Sequence, residues 1–369
     1  NNHVTWLLLA TTCSHHYYNN KSSSYTIIII MISLTQTFHR SIINKMNHHL
    51  STQIATTTTT TTTRRRLRHT VAISREIPDS FIDAISFHYN QSSHHDDAAT
   101  ALCSQDKGVS LLKSREQHTN YLNTLRQHIP NKLICLPPLE SHPDCLFVED
   151  TMVAIQDTVV LTRMGHESRR GEVDDSIKSV LCEQLGLKNV YDMNNDSIEG
   201  CCDGGDVLYT GRHLFVGITD RTNQVGFQYL RNVFAHHHDM MDAADVVPIP
   251  MMSLQGADSG GGVLHLKSAV THIDEETLLI PEGTFGDILT DAMKVTERGY
   301  TAVRLPDVLS CNAVVVNGHV MAQDSPCCVS KRRIEQACHE RDLGLTFVDT
   351  SELAKKDAAL TCCSVLLSV

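Results

Sequence analysis

The chain has 369 residues, 41% hydrophobic and 20% charged, with a formal net charge of −11 and thirteen cysteines. That length can bury the core of one large domain or two smaller ones, and the acidic balance argues against binding a phosphate backbone, which needs clustered Lys and Arg. The adjacent pairs Cys201-Cys202, Cys327-Cys328 and Cys362-Cys363 lack the C-x-x-C spacing of zinc or redox motifs, so the thiols read as reduced and the chain as cytoplasmic.

Residues 1–68 differ from the rest. A threonine run from Thr56 to Thr63 leads into Arg64-Arg65-Arg66-Leu67-Arg68, and Ser, Asn, His and Thr dominate. This reads as a low-complexity, disordered arm or an untranslated leader, with Met46 or Met31 as the start. A mitochondrial targeting segment is the alternative, because Met31 to Arg68 is Arg-rich and free of acids. The apolar patches Trp6-Leu7-Leu8-Leu9-Ala10 and Ile27 to Ile32 fall short of the ~20 residues that a membrane-spanning helix needs.

Residues 69–369 read as one catalytic domain built on a repeat. Val71 to Ser74 is a strand, His88 to Asp106 a polar loop, and Ser110 to His128 a helix. Then a strand, a turn, a second strand and an amphipathic helix recur. The first unit holds Cys145 to Asp150, Thr158 to Thr162, and a helix carrying Val173, Ile177, Val180, Leu181 and Leu185 with Ser168 as N-cap. The second holds Gly204 to Tyr209, His213 to Gly217 and a helix from Thr222 to Phe234. The third holds Val263 to Leu266, Thr277 to Ile280 and a helix around Gly286 to Lys294. The fourth holds Cys311 to Val316, Gly318 to Met321 and a helix near Ser330 to Glu340. The fifth begins at Cys362 and runs out of chain, so Val71 to His128 must complete it.

A spacing of about 50 to 60 residues suits propeller-like repeats. A ring closed by its own N-terminal segment leaves few free edges. The expected fold is therefore a single-domain, five-bladed α/β propeller of ββαβ units; an ordinary open α/β sheet is the alternative. A polar residue near the first strand of each unit favours the ring: Asp150, Asp203, His265, Asn312 and Cys362. These would converge on the axis.

Convergence gives the Cys-His-acid arrangement of nucleophilic catalysis. Cys362 would attack, His265 would act as general acid and base, and Asp203 would orient it. Asp144, Glu149 and Asp150 suit a guanidinium, while Arg169 and Arg221 could clamp a carboxylate. Together they describe an arginine derivative. Strand alternation would let only one of Cys362 and Cys363 face the cavity, with Cys362 the choice. His236, His237 and His238 are consecutive and diverge, which argues against a metal site there.

The motifs Pro143-Asp144-Cys145-Leu146-Phe147-Val148-Glu149-Asp150, Asp203-Gly204-Gly205-Asp206-Val207-Leu208, Arg221-Thr222-Asn223-Gln224, Leu264-His265-Leu266-Lys267-Ser268 and Leu360-Thr361-Cys362-Cys363-Ser364-Val365-Leu366 resemble the dimethylarginine dimethylaminohydrolase family of the guanidino-modifying pentein superfamily. The resemblance runs from about Thr70 to the C-terminus. It implies hydrolysis of Nω-methylated arginine (asymmetric dimethylarginine or monomethylarginine) to citrulline and an amine, through a covalent thiouronium on Cys362. It also implies His265 as proton donor and Asp203 as its partner. Asp144, Glu149, Asp150, Arg169, Arg221 and the Lys356-Asp357 stretch would contact substrate. No cofactor and no metal is required, although Zn²⁺ on Cys362 and His265 would inhibit.

Three features depart from the family pattern. Lys356 stands at an apolar position, Ser86 stands where a covering flap usually has an apolar residue, and Ser253 to Gly262 is a longer, Gly-rich insertion before His265. The expected partner is a small molecule, with no nucleic acid or membrane. An arginine or agmatine deiminase, an amidinotransferase, and a non-catalytic methylarginine-binding protein are the rival readings.

Overall fold

The computed structural model describes residues 68–85, 108–195, 199–236, 245–251 and 264–369, all within a unit that begins at Arg65. Residues 1–67 of the tail, Ser86, the whole polar loop His88 to Asp106, His237 and His238, and the insertion Ser253 to Gly262 lie outside the described residues. Among those residues no helix is long and apolar enough to cross a membrane.

Among the described residues, fifteen strands form five three-stranded sheets. In each, an inner strand pairs antiparallel with a middle strand, which pairs parallel with an outer one. The first blade is β3 (Met152–Ile155), β4 (Thr158–Leu161) and β5 (Asn189–Asp192). The second is β6 (Val207–Tyr209), β7 (Leu214–Gly217) and β8 (Val246–Ile249). The third is β9 (Thr271–Asp274), β10 (Thr277–Pro281) and β11 (Thr301–Leu305). The fourth is β12 (Ala313–Val316), β13 (His319–Gln323) and β14 (Gly344–Val348). The last joins the two ends of the domain: β15 (Val365–Leu367) is the inner strand, β1 (Val71–Arg75) the middle and β2 (Lys132–Leu136) the outer. The crossover helices are α1 (Leu111–His128), α2 (Asp175–Ser179, continued by a π turn Val180–Gln184), α3 (Gln224–His236), α4 (Gly283–Ala292) and α5 (Cys328–His339).

The middle strands are nearly continuous apolar runs because both of their faces are covered. Alternation sends successive side chains to different neighbours. Ile73 packs toward the first blade and Ala72 toward the fourth; Leu278 and Ile280 pack toward the second and Leu279 toward the fourth. Each of the five apolar cores thus fills the gap between two adjacent blades. Two of them contain β1, so the N-terminal strand closes the ring as the sequence predicted.

One feature of the repeat corrects the sequence reading. Cys145 to Asp150 is not a strand but a series of turns ending in the single-turn 3₁₀ helix Val148–Thr151. Leu264 to Leu266 is not a strand either; His265 caps the short helical turn Leu266–Ala269, and the strand follows at β9. Similar turns precede β6 (Gly204–Asp206), β12 (Leu309–Cys311) and β15 (Leu360–Cys363). All five marker residues therefore sit in or beside a helical turn at the head of an inner strand. Ser168 is likewise not the cap of α2; Asp174 is, accepting from Ile177 N.

Candidate active site

The five turns meet at one end of the axis. Asp150, at the head of the first blade, is locked: Oδ2 receives Arg169 Nη1 at 2.7 Å and Oδ1 receives Gly205 N at 2.8 Å. Asp203, at the head of the second, accepts Gly165 N at 2.8 Å and faces His265 Nε2 at 3.1 Å. The other ring nitrogen of His265 lies 3.9 Å from Asp150 Oδ1. One imidazole therefore stands between two carboxylates.

The Asp203-Gly204-Gly205-Asp206 sequence makes this approach feasible. A Cβ on Gly205 would come within 2.7 Å of both the His265 ring and Asp150 Oδ1, and one on Gly204 within 2.0 Å of the Glu149 carbonyl. Asp206 takes the other side of the turn. It accepts the hydroxyls of Thr219 and Thr222 at 2.6 Å each and Leu266 N at 3.0 Å, which anchors the residue after His265.

The electrostatics follow from this packing. Burial disfavours charge on His265, but Asp150, Asp203 and Asp206 outweigh it and lift its pKa to about 9. His265 is thus an imidazolium at neutral pH. Asp150 is held below its ordinary value: burial opposes its ionisation, and His265 and Arg169 overcome that opposition. Cys362 goes the other way. Burial, and then the Glu149 and Asp150 carboxylates, push its thiol well above its usual range. The resting pair is a neutral thiol and a charged imidazolium.

Cys362 and His265 line one small cavity of about 30 Å³ with Asp144, Asp150, Arg169, Arg221, Lys356 and Asp357. Eight of the ten residues anticipated from the sequence thus share it. Asp203 stands behind His265. Glu149 does not line it: its carboxylate is held by Lys267 at 2.7 Å and Thr361 Oγ1 at 3.0 Å, and it lines an axial cavity on the other side of the turns.

Arg169 also differs from expectation. It is buried in the 3₁₀ turn Glu167–Glu172, not at an α-helix start. Nε and Nη2 bind Glu172 at 2.9 and 2.7 Å, Nη1 binds Asp150, and Nη2 also reaches the Phe147 carbonyl at 3.2 Å. Its fork is spent on positioning Asp150, which leaves Arg221 as the better candidate for a substrate carboxylate. Lys356 Nζ donates to the Ala84 carbonyl at 3.0 Å, and Ile85 N donates to Asp144 Oδ1 at 3.1 Å. Asp357 adopts a left-handed backbone, φ 56°, that aspartate tolerates better than most residues.

The choice within the cysteine pair needs a different warrant. Cys362 and Cys363 lie in a 3₁₀ turn, so strand alternation does not separate them. The cavity does: Cys362 lines it, whereas Cys363 is fully buried in a core with Tyr121 and Leu125. A buried network holds this turn from below. Ser74 Oγ donates to the Cys363 carbonyl at 2.7 Å and meets His118 Nε2 at 3.2 Å, while Tyr121 Oη pairs with Ser364 Oγ at 2.7 Å. Sequence reasoning missed Asp206, Glu172, Lys267 and this network, although the second Asp of Asp-Gly-Gly-Asp was a visible signal for the first.

A ring of five ββαβ blades with a cysteine, a histidine between carboxylates and further acids at one end of its axis defines the pentein class of guanidino-modifying proteins. A Streptomyces coelicolor N(G),N(G)-dimethylarginine dimethylaminohydrolase is 32% identical over 266 residues, 71% of this chain and 87% of the relative. On that similarity the chain belongs to the dimethylarginine dimethylaminohydrolase family. The fold matches the solved Pseudomonas aeruginosa enzyme complexed with citrulline at a TM-score of 0.62, with 22% identity over 81% of this chain and 100% of that one. It also matches the N-terminal domain of ArgZ, an arginine dihydrolase from cyanobacteria, at 0.58, with 16% identity over 81% and 99%. The profile of a family described as RNA-editing substrate-binding complex 5 protein matches residues 115–301. That stretch includes His265 and ends before Cys362.

Proposed function

We propose that this chain hydrolyses Nω-methylated arginines to citrulline and methylamine or dimethylamine. The observation that carries the reading is the shared cavity of Cys362, the doubly flanked His265 and the carboxylates of Asp144 and Asp150. Those carboxylates would attract a guanidinium, and Arg221, on the wall of the same cavity, would take the carboxylate at the other end of an amino acid. A cavity of about 30 Å³ holds little more than a water or two, so entry requires movement of the wall that includes Ile85, Leu264 and Lys356.

The charges describe how the thiol is activated. Burial, and then the Glu149 and Asp150 carboxylates, keep the proton on the Cys362 thiol before substrate arrives. An arriving guanidinium offsets them, and the proton leaves to solvent. The thiolate adds to the guanidinium carbon. The imidazolium of His265 gives its proton to the departing amine, leaving a thiouronium on Cys362. Neutral His265 then takes a proton from water, the hydroxide adds to the same carbon, and collapse releases citrulline and the thiolate while the added hydroxyl's proton passes to solvent.

Zinc would compete with protons here. The expected pair, Cys362 and His265, must both lose a proton to ligate, and Asp150 and Asp203 have ligand atoms within 4.8 Å of those of His265. Zinc inhibition is expected to weaken as pH falls.

Unmethylated arginine is the second reading, favoured by the structural match to an arginine dihydrolase. Incubation with asymmetric dimethylarginine and with arginine, followed by mass spectrometry of the amines, separates them. Dimethylamine with citrulline supports the proposal. Ammonia from arginine with no dimethylamine selects the second reading, and an unchanged substrate with measurable binding indicates a binding protein.

A further inference from the structure

The far end of the propeller axis carries chemistry that hydrolysis does not use. The inner strands surround an axial cavity of about 150 Å³, separated from Cys362 by the turn residues Glu149, Lys267 and Thr361. Its lining continues past these turns, along Ala154, Tyr209 and Val315, to His69 and His272. The same two histidines, with Val315, also line a smaller pocket beyond, beside Asn317 and Gly318. They stand at the neck between the two spaces.

Both imidazoles are set up as ligands. His69 is fixed by its backbone, its N donating to Asn317 Oδ1 at 2.9 Å and its carbonyl accepting Asn317 Nδ2 at 2.7 Å. Its Nδ1 is shut off from solvent and has no hydrogen-bond partner. Such an atom destabilises the fold unless it finds a partner. His272 Nδ1 lies 3.1 Å from the Asp274 carbonyl. A carbonyl can only accept, so Nδ1 carries the hydrogen and Nε2 carries the lone pair. A backbone oxygen behind one ring nitrogen is the usual support of a metal-binding histidine. Both rings line the same two spaces, so the two imidazoles share one neck.

We propose that His69 and His272 form a two-imidazole site for a borderline divalent transition metal, with water in the axial cavity completing its coordination. Imidazole nitrogen suits zinc, cobalt, nickel and copper better than magnesium or calcium. The site is distinct from the catalytic cluster, which lies beyond the Glu149–Lys267 pair. His69 leads into β1 and His272 belongs to β9, so a bound metal would tie the ring-closing strand to the third blade. Binding to the native state alone raises thermal stability.

Cobalt(II) is the probe, since it reports its ligands by visible absorption and spares free thiols from copper-driven oxidation. The full chain is titrated as wild type, His69→Gln, His272→Gln and Cys362→Ser, with melting temperature followed in parallel. The expected result is one cobalt without a thiolate charge-transfer band, retained in Cys362→Ser and weakened at least about tenfold in either histidine variant. Cobalt should raise the melting temperature of wild type and Cys362→Ser but not of His69→Gln. Should His272→Gln fail to fold, His69→Gln decides alone, because its side chain has no hydrogen-bond partner at Nδ1 to lose. Unchanged binding in His69→Gln overturns the proposal, as does a signal lost in Cys362→Ser, which would place the metal in the catalytic cavity.

Discussion

The inner strands and the helical turns just before them come from the same five repeats, yet they behave differently. The strands resemble one another: Met152–Ile155, Ala313–Val316 and Val365–Leu367 are short and apolar, Thr271–Asp274 is equally short though more polar, and each pairs antiparallel with its middle strand. The turns are all different, presenting Asp150, Asp203, His265, Asn312 and Cys362. The ring needs symmetry because each blade must fit two neighbours. The reaction needs asymmetry because attack, protonation and orientation are separate tasks. Placing the variable residues in turns lets each be replaced without disturbing the ladder behind it.

The largest break in that comparison is at the last turn. Cys362→Ser should lower turnover by at least ~10³-fold, since the hydroxyl is a far weaker nucleophile. Cys363→Ser, one residue on in the same turn, should cost about 1 kcal/mol of stability and leave the rate within severalfold. Steady-state kinetics and a denaturant melt read both; equal losses of activity would contradict the division.

Removing the proposed proton donor comes next. His265→Asn should reduce kcat by about 10²–10⁴-fold. Accumulation of a covalent adduct in this variant, seen by intact mass, would place the defect after attack.

A subtler break removes only the charge beside the histidine. His265 keeps its proton up to about pH 9 in the folded chain, so the alkaline limb of kcat/KM should fall near there. Asp203→Asn should move that limb downward, toward the ordinary 6.5. The same shift governs stability. The folded pKa lies above the unfolded one, so the contribution is complete below about pH 6.5 and is lost as pH rises through about 9. Melting temperature should decline across that window in wild type and decline less in Asp203→Asn.

The smallest effect belongs to the turn without a chemical task. Asn312 Nδ2 reaches the Lys267 carbonyl and Thr361 Oγ1 at 3.0 Å each, and its Oδ1 accepts Thr361 N at 3.1 Å. It ties the His265 and Cys362 turns together. Asn312→Ala should cost about 1–3 kcal/mol and change KM and kcat only modestly. A complete loss of turnover in a folded Asn312→Ala protein would show that this turn is not silent.

The strand ladder was legible because double-sided burial produces long apolar runs such as Thr277–Pro281, and because the run at Val71 had to complete the unit begun at Cys362. The turns were misread for a related reason. Cys145-Leu146-Phe147-Val148 is as apolar as a strand, but its side chains pack beneath a turn, and one helical turn is too short to show a period. The grouping of Cys362, His265 and Asp203 was legible from residue type and motif. The withdrawal of Glu149 toward Lys267 and of Arg169 toward Glu172 was not, because each pairing depends on which way a turn faces. The network of Ser74, His118 and Tyr121 beneath the cysteines was hidden too, since it joins β1 and α1 to the other end of the chain.

The central claim is that Cys362 carries the substrate carbon during turnover. Acid quenching during steady-state hydrolysis of asymmetric dimethylarginine, then peptide mapping by mass spectrometry, tests it directly. The account predicts a thiouronium adduct on Cys362, with Cys363 unmodified, that disappears once substrate is exhausted. Citrulline and dimethylamine formed at full rate by the Cys362→Ser protein, or an adduct that maps to Cys363, would contradict it.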